Sequence, residues 1–346
     1  MHTSQQPEQH KQTSLNIRVE TSEQVPTLPV AYFGMAVGTL AFSQTWRVAE
    51  RGIRFPWEFS AYLGAIGLAI WSVLLLAYVG KWLFHTGLAK QEMQHPLQSS
   101  LAALGPISSL LAAIVVQPWS RTFGLLILLF ALTWQTLLGF WIYGRFWKGG
   151  RVPDSISAAI YLPAVAQNFV AGLAVTAYGW QELGSLLFGA GFFSWLALES
   201  MIVSRAALHA PIASEQRPLL GIQMAPAVVA GLTYTSLRPE NADMFALMLL
   251  GYGLYQFALL LRLLPWILHQ AFAPSYWSFS FGIAALANLA LRIAEHTQTE
   301  LMRMLSYGLL TIASVVILSL LSGTACLIWQ RKFVVFVHYV PQQKSH

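Results

Sequence analysis

The stretch Tyr276-Trp277-Ser278-Phe279-Ser280-Phe281-Gly282 opens an apolar segment that continues to about Leu291. It mixes bulky aromatic rings with two hydroxyls and small residues, whereas a lipid-facing helix would be lined with Leu and Ile. On the helical face that begins at Phe281, the following positions are Ala284, Ala285, Asn288 and Arg292. We interpret this segment as a helix that faces a narrow polar path, with Phe281 as its plug. Ordinary packing of the phenylalanine is the alternative.

The composition of the chain predicts an all-α polytopic membrane protein. Of its 346 residues, 56% are hydrophobic and only 10% are charged, whereas about 25% of the residues of a soluble globular domain are charged. Apolar segments recur that are long enough to cross the hydrocarbon core of a bilayer, which is about 30 Å thick. The formal net charge of +6 does not indicate nucleic-acid binding, because the lysines and arginines lie between these segments.

Ten apolar segments alternate in character along the chain. The odd segments carry Gly, Ala, Ser, Pro and amides, which let helices approach closely, and the even segments carry bulky residues that suit lipid contact. We therefore predict five helical hairpins, with odd helices around a central pore and even helices outside. The predicted spans are Pro29–Trp46, Phe59–Phe84, Leu97–Val116, Thr122–Phe146, Tyr161–Tyr178, Leu183–Ser204, Leu219–Ser236, Asp243–His269, Tyr276–Leu291 and Met302–Trp329.

An internal repeat supports five equivalent hairpins. Pro29, Pro96 and Pro163 start successive odd segments at intervals of 67 residues, and a glycine follows each of them nine residues later. These glycines are Gly38, Gly105 and Gly172. Pro218 and Pro274 stand just before the seventh and ninth segments. One proline at a first helical turn is common, but five of them indicate a repeated unit and predict a quasi-fivefold array.

The distribution of lysine and arginine predicts that both termini are cytoplasmic. Ten spans put the termini on one side, which carries 13 Lys and Arg residues against 7 on the other, as the positive-inside rule expects. We predict a disordered cytoplasmic tail over residues 1–27, a channel domain over 28–331 and a cytoplasmic tail over 332–346. The inner helices would then all begin at the cytoplasmic face, where their N-terminal N–H groups favour an anion. Neutralisation of these ends by water is the alternative.

Small and polar residues of the odd helices are candidates for the pore lining. Gln98, Asn168 and Gln223 could donate N–H groups to an anion or bond neighbouring helices together. Pro106 and Pro226 should kink their spans. The other candidates are Gly34, Gly38, Gly105, Gly172, Ala284, Ala285 and Asn288. A side chain at the first of these glycines would narrow the pore, although close helix packing is the default reading there.

Glu199 and Arg262 are the main ionisable residues within the long spans. Both lie on even helices, and we interpret them as a structural ion pair between outer helices. A coupling site for protons or sodium is the alternative, because coupled transporters usually need an acid inside the membrane. The sequence carries no nucleotide, metal or nucleophile motif. We therefore expect no cofactor, no metal and no enzymatic activity.

Short motifs along the chain resemble the tellurite-resistance and dicarboxylate-transporter family, and most closely its bacterial TehA branch. They extend from the first span to the ninth. They are Leu28-Pro29-Val30-Ala31-Tyr32-Phe33-Gly34, His95-Pro96, Tyr161-Leu162-Pro163 with Asn168-Phe169, Gly189-Ala190-Gly191-Phe192-Phe193-Ser194-Trp195-Leu196, Gly221-Ile222-Gln223-Met224-Ala225-Pro226, Leu261-Arg262-Leu263-Leu264-Pro265-Trp266, and the stretch from Tyr276 to Gly282.

The resemblance implies a trimer of ten-helix protomers, each with an anion pore occluded by a phenylalanine that falls on Phe281. It also implies that the glycine needed to keep the pore open falls on Gly34. We expect an anion channel or permease of the bacterial inner membrane that is associated with tellurite resistance. Small inorganic or organic anions, the lipid bilayer and two further copies of the chain would be its partners, without nucleic acid. The alternatives are a coupled transporter or efflux protein for dicarboxylate, sulfite or lipophilic cations, which would use Glu199, and a membrane enzyme or scaffold.

Overall fold

The computed structural model describes residues 23–53, 58–150, 156–240 and 242–339. Helices make up most of these ranges, and two short strands lie at their ends. The helices are α1 (Phe33–Ile53), α2 (Phe59–Phe84), α3 (Thr86–Gln94), α4 (Pro96–Leu101), α5 (Leu104–Val116), α6 (Arg121–Trp147), α7 (Gln167–Ala177), α8 (Gln181–Leu208), α9 (Ala225–Leu237), α10 (Met244–Ile267), α11 (Ser278–Thr297) and α12 (Glu300–Trp329). The strands are β1 (Glu23–Thr27) and β2 (Val335–Tyr339).

Nine helical spans in the described residues are long and apolar enough to cross a membrane, which confirms the prediction of an all-α polytopic membrane protein. Their burial separates them into two groups. In the third, fifth, seventh and ninth predicted spans, 78–89% of the most apolar window is buried, but in the five even spans only 17–39% is. Helix α1 is not among the nine, and its second half carries Arg47, Glu50 and Arg51, yet most residues of its first half are buried.

The five buried helices form a closed ring. Helix α1 packs against α5, α5 against α7, α7 against α9, α9 against α11, and α11 returns to α1. Each outer helix packs against the inner helix of its own hairpin: α2 on α1, α6 on α5, α8 on α7, α10 on α9 and α12 on α11. The alternation of small and bulky segments in the sequence therefore corresponds to an inner ring and an outer layer, and the ring encloses a common interior.

Each inner span enters the ring through an irregular backbone segment. The segments are the 3-10 turns Val30–Tyr32, Ala158–Tyr161, Ser214–Met224 and Pro274–Trp277, the π turn Leu162–Ala166, and the break between α4 and α5. Four of the five repeated prolines lie in or next to these segments, because a proline lacks the N–H that a regular helix needs. Pro96 instead begins α4, where a proline is tolerated. Pro106 and Pro226 belong to the first turns of α5 and α9, where proline is tolerated. These two prolines therefore do not kink the middle of a helix. The irregular backbone lies just before each of them, where α5 and α9 begin.

The repeated glycines allow close contacts between helices. A Cβ on Gly38 would lie 2.5 Å from Ser280 Cβ, and a Cβ on Gly172 would lie 2.9 Å from Thr233 Cγ2. A Cβ on Gly105 would overlap the ring of Trp134 on α6. The repeat thus marks positions where neighbouring helices approach too closely for any side chain.

Substituting alanine for Gly38 is expected to lower the free energy of unfolding by about 1–3 kcal/mol, because overpacking forces backbone shifts. The added methyl would push α11 away from α1 at Ser280. Thermal unfolding of the detergent-purified protein measures the effect. Gly34→Ala is the matched control on the same helix, since its Cβ would meet no atom closer than Trp277 Cβ at 3.7 Å. Equal unfolding temperatures for the two variants would contradict this account of the contact.

Strands β1 and β2 pair in an antiparallel register that runs from Glu23 opposite Tyr339 to Thr27 opposite Val335. The segments before α1 and after α12 therefore lie on the same side of the molecule, as an even number of crossings requires. Residues 23–27 differ from the disordered tail that we predicted, because their backbone groups find hydrogen-bond partners in the other tail. Residues 1–22 and 340–346 of the two predicted tails lie outside the described residues.

Candidate functional site

A first cavity of about 420 Å³ lies inside the ring, on the side where the inner spans begin. All five spans contribute to its wall, through residues such as Val37, Leu104, Leu162, Ile222 and Phe281. The wall is mostly apolar. Its polar side chains lie near the mouth and include Gln98, Glu215 and Gln216. This cavity is therefore a funnel that opens towards the side of the two termini.

A second cavity of about 300 Å³ lies inside the ring, on the side where the inner helices end. The five inner helices line it together with the first residue of α8, and its wall is more polar. Its polar residues are Gln44, Thr176, Gln181, Thr235, Ser236, Asn288 and Arg292. The two cavities lie on one path through the ring, since the first is lined by the beginnings of the inner spans and the second by their ends.

Phe281 belongs to the walls of both cavities. Its neighbours Ser280 and Gly282 are buried, whereas Phe281 stays partly exposed because it faces these open spaces. Helix α11 fixes its direction: Ser280 Oγ donates to the carbonyl of Trp277, and Trp277 Nε1 donates to Thr324 Oγ1 of α12 at 2.9 Å. The aromatic ring thus lies between two cavities that share an axis.

The predicted pore-lining residues divide into two sets. Gly34 and Gln98 line the first cavity, and Ala285 and Asn288 line the second. The others contribute to neither wall. They are Gly38, Gly105, Gly172, Pro106, Pro226, Ala284, Asn168 and Gln223.

The two amides outside the cavities have other partners. Asn168 Nδ2 donates to the carbonyl of Ala164 at 2.6 Å and faces the space between α6 and α8. Gln223 Nε2 donates to Glu199 Oε1 at 3.0 Å and to the hydroxyl of Tyr161 at 3.2 Å. Gln223 therefore bonds to a neighbouring helix, one of the two alternatives for these amides. Asn168 bonds within its own span and fits neither alternative.

Four side chains surround the carboxylate of Glu199 and donate to it. Tyr161 and Trp195 donate to Oε2, while Tyr252 and Gln223 donate to Oε1. A carboxylate that accepts four hydrogen bonds has its acceptor capacity filled. Glu199 therefore connects α8 with α10 and with the turns that precede α7 and α9. It lies outside the walls of both cavities.

The predicted ion pair between Glu199 and Arg262 is wrong. Within the described residues no salt bridge joins them, and the side chain of Arg262 is exposed on α10. Tyr252, which bonds Glu199, precedes Arg262 by ten residues, so the arginine lies about 15 Å further along the helix. The donors of Glu199 were missed because each comes from a different part of the chain.

Arg292 was noticed only as the last position of the face of Phe281. In the structure Nε donates to Asn288 Oδ1 at 3.0 Å and Nη1 donates to Ser236 Oγ at 2.8 Å. Ser236 and Gln44 complete this part of the second cavity, and no pattern in the sequence indicates either residue. The spacing of four residues between Asn288 and Arg292 was the available signal for their pairing.

Comparisons with known proteins agree with this geometry. The sequence profile of the family described as "Voltage-dependent anion channel" matches residues 27–325, a range that contains the ring and both cavities. The tellurite resistance protein TehA homolog of Haemophilus influenzae is 31% identical over 264 residues, which cover 76% of this chain and 80% of that protein. The guard cell S-type anion channel SLAC1 of Arabidopsis thaliana is 21% identical over 341 residues, or 92% of this chain and 60% of the plant protein. The chain belongs to the voltage-dependent anion channel family.

Proposed function

We propose that this protein is a channel or permease for small anions, and that the ring of Phe281 occludes its pore. The observation that carries the proposal is the position of Phe281 in the walls of both cavities. An aromatic ring that crosses a narrow lumen blocks ions by its volume and by excluding water. Family membership supports the class of substrate, since relatives of this chain are described as anion channels.

Charge along the path supports passive flow. Among the described lining residues of the two cavities, the charged ones are Glu215 at the mouth of the first and Arg292 in the second. Coupled transport usually needs an acid at the middle of the membrane that the substrate path can reach. Glu199 is the candidate acid, but its carboxylate already accepts four hydrogen bonds and lines neither cavity.

The test is the anion current of the protein in a voltage-clamped bilayer, with and without the ring of Phe281. A nearly silent parent and a conducting Phe281→Ala variant would support both the pore and its plug. The absence of current from both proteins, with the variant correctly folded, would contradict the channel function and favour coupled transport.

A larger side chain at Gly34 is expected to narrow the first cavity. In the Phe281→Ala background, Gly34→Leu should reduce the anion current severalfold, because the leucine would project into a space lined by Leu104 and Trp277. Gly34→Ala is the control, since its Cβ makes only ordinary contacts. Unchanged current through the leucine variant would mean that ions do not pass through this cavity.

Location, assembly and phenotype are proposed on the same basis. The bacterial relative is named for tellurite resistance, and we propose the same association and an inner-membrane location here, with cytoplasmic termini. The homotrimer implied by the resemblance stays a prediction. One chain already carries the whole ring and both cavities, so each protomer of such a trimer would conduct independently.

A further inference from the structure

We propose that Arg292, Asn288 and Ser236 form a binding site for a small oxyanion in the second cavity. The site lies beyond Phe281 as seen from the two termini, on the proposed anion path, and it rests on that function. It would hold an anion that has passed the ring of Phe281 or that waits to pass it in the other direction.

No carboxylate among the described residues forms a salt bridge with the positive charge of this site. Arg292 is largely buried in the last turns of α11, and no salt bridge joins it to an acidic side chain within the described residues. The nearest acid along the helix, Glu295, is exposed to solvent and attracts Arg292 only at a distance, and the positive charge of Arg51 opposes that attraction. A largely buried guanidinium that has hydrogen bonds but no carboxylate in a salt bridge keeps a charge that is costly to bury, and a mobile anion would compensate that charge.

Capping of the helix end does not explain Arg292. Basic residues near the C-terminus of a helix commonly donate to its last carbonyl groups. Arg292 donates instead to two side chains, Asn288 on its own helix and Ser236 at the end of α9. These bonds hold the guanidinium across the cavity wall between the two helices.

The pattern of hydrogen bonds leaves donors facing the cavity. Arg292 uses the amide oxygen of Asn288 and a lone pair of Ser236 as acceptors. Asn288 Nδ2 has no hydrogen-bond partner among the described residues, although Asn288 is only 4% exposed. The hydroxyl hydrogen of Ser236 and the Nη2 group of Arg292 are also available. Because N–H and O–H donors are free at this wall while the acceptor oxygens are already occupied by Arg292, the wall favours anions over cations.

The geometry of a guanidinium favours an oxyanion over a halide. The edge formed by Nη1 and Nη2 carries parallel N–H bonds that match two oxygens of one ligand. Nitrate, sulfite and short carboxylates share this shape, and all of them are small beside a cavity of about 300 Å³. Chloride would be attracted by the positive charge, but it does not present two oxygens to match the parallel N–H bonds.

Binding can be measured without any current. The full-length protein in detergent is titrated with sodium nitrate, and its thermal unfolding is compared with a sodium chloride titration at equal ionic strength. Ligand that binds the folded state raises the unfolding temperature. We expect nitrate to stabilise the parent relative to chloride, and the apparent affinity to fall about tenfold or more in Arg292→Gln. Arg303→Gln is the matched control, because Arg303 is exposed on α12 and pairs with Glu300.

A second variant keeps the test decisive if Arg292→Gln does not fold. Asn288→Asp keeps the size of the side chain and the oxygen that accepts from Nε, but it places a carboxylate against the guanidinium. It should therefore remove the nitrate response while preserving the fold. A nitrate response equal to that of the parent in either folded variant would overturn the site, and so would equal responses of the parent to nitrate and chloride. Nitrate binding by a protein whose Phe281→Ala form conducts no anion would instead contradict the channel and leave the site intact.

Discussion

Alanine in place of Phe281 is expected to raise the anion current of the reconstituted protein by about tenfold or more, which corresponds to a barrier lower by at least about 1.4 kcal/mol. The substitution joins the cavities of about 420 Å³ and 300 Å³ into one path. Because the side chain is only partly buried and borders both cavities, its removal should change stability much less than conduction. Voltage-clamp recording in a symmetric salt solution measures the current.

Phe279→Ala is the matched control for this experiment. Phe279 lies two residues earlier on α11 and packs against the backbone at Gly221, away from both cavities. Its loss should destabilise the protein and leave the current near that of the parent. Equal large currents from the parent and Phe281→Ala would keep the pore but move the gate elsewhere. A conducting Phe279→Ala beside a silent Phe281→Ala would contradict the assignment of the plug.

Leucine in place of Glu199 is expected to lower the free energy of unfolding by about 3 kcal/mol or more, because each buried donor left without an acceptor costs about 1–3 kcal/mol. The four donors of Tyr161, Trp195, Gln223 and Tyr252 come from separate segments and would all lose their partner. Chemical or thermal unfolding in detergent measures the loss.

Glu199→Gln should destabilise the protein less than leucine does. An amide keeps one acceptor oxygen, and Gln223 can turn its own unpaired oxygen towards the new NH2 group. Glu182→Leu serves as the control, since Glu182 is exposed on the same helix. Parent-like stability of Glu199→Leu would show that the four bonds are not a structural centre. In the Phe281→Ala background, undiminished flux through Glu199→Gln would count against a coupling acid.

The sequence predicted the arrangement of the inner and outer helices because the amino-acid composition of each segment depends on whether the helix is buried among other helices or faces lipid. Small residues mark the ring and bulky residues mark the lipid side, and no long-range information is needed to read either. The face of α11 was also predictable. Its helix is regular from Ser278 to Thr297, so the period of 3.6 residues holds from Phe281 to Arg292.

The lining of the other helices was not predictable in the same way. The 3-10 and π turns change the direction of successive side chains, so a period of 3.6 residues fails where each inner span begins. Gln223 therefore turns to Glu199, and Asn168 turns outward, although both lie on inner spans. Most partners of Glu199, and Ser236 as a partner of Arg292, were missed for another reason, since they are remote in the chain and meet only through packing.

The closure of the ring between α1 and α11 has a consequence for biosynthesis. The hydroxyl of Thr45 donates to the carbonyl of Ala284 at 2.9 Å across 239 residues of sequence, so the seam joins the first and last hairpins that a ribosome delivers. Contacts between residues so far apart in the sequence form late in folding. During synthesis the N-terminal part of a chain is also available to fold before the C-terminal part. The surface of α1 that carries Gly34 and Gly38 packs against the fifth hairpin. This surface therefore stays uncovered in the bilayer until the fifth hairpin has been synthesised and inserted.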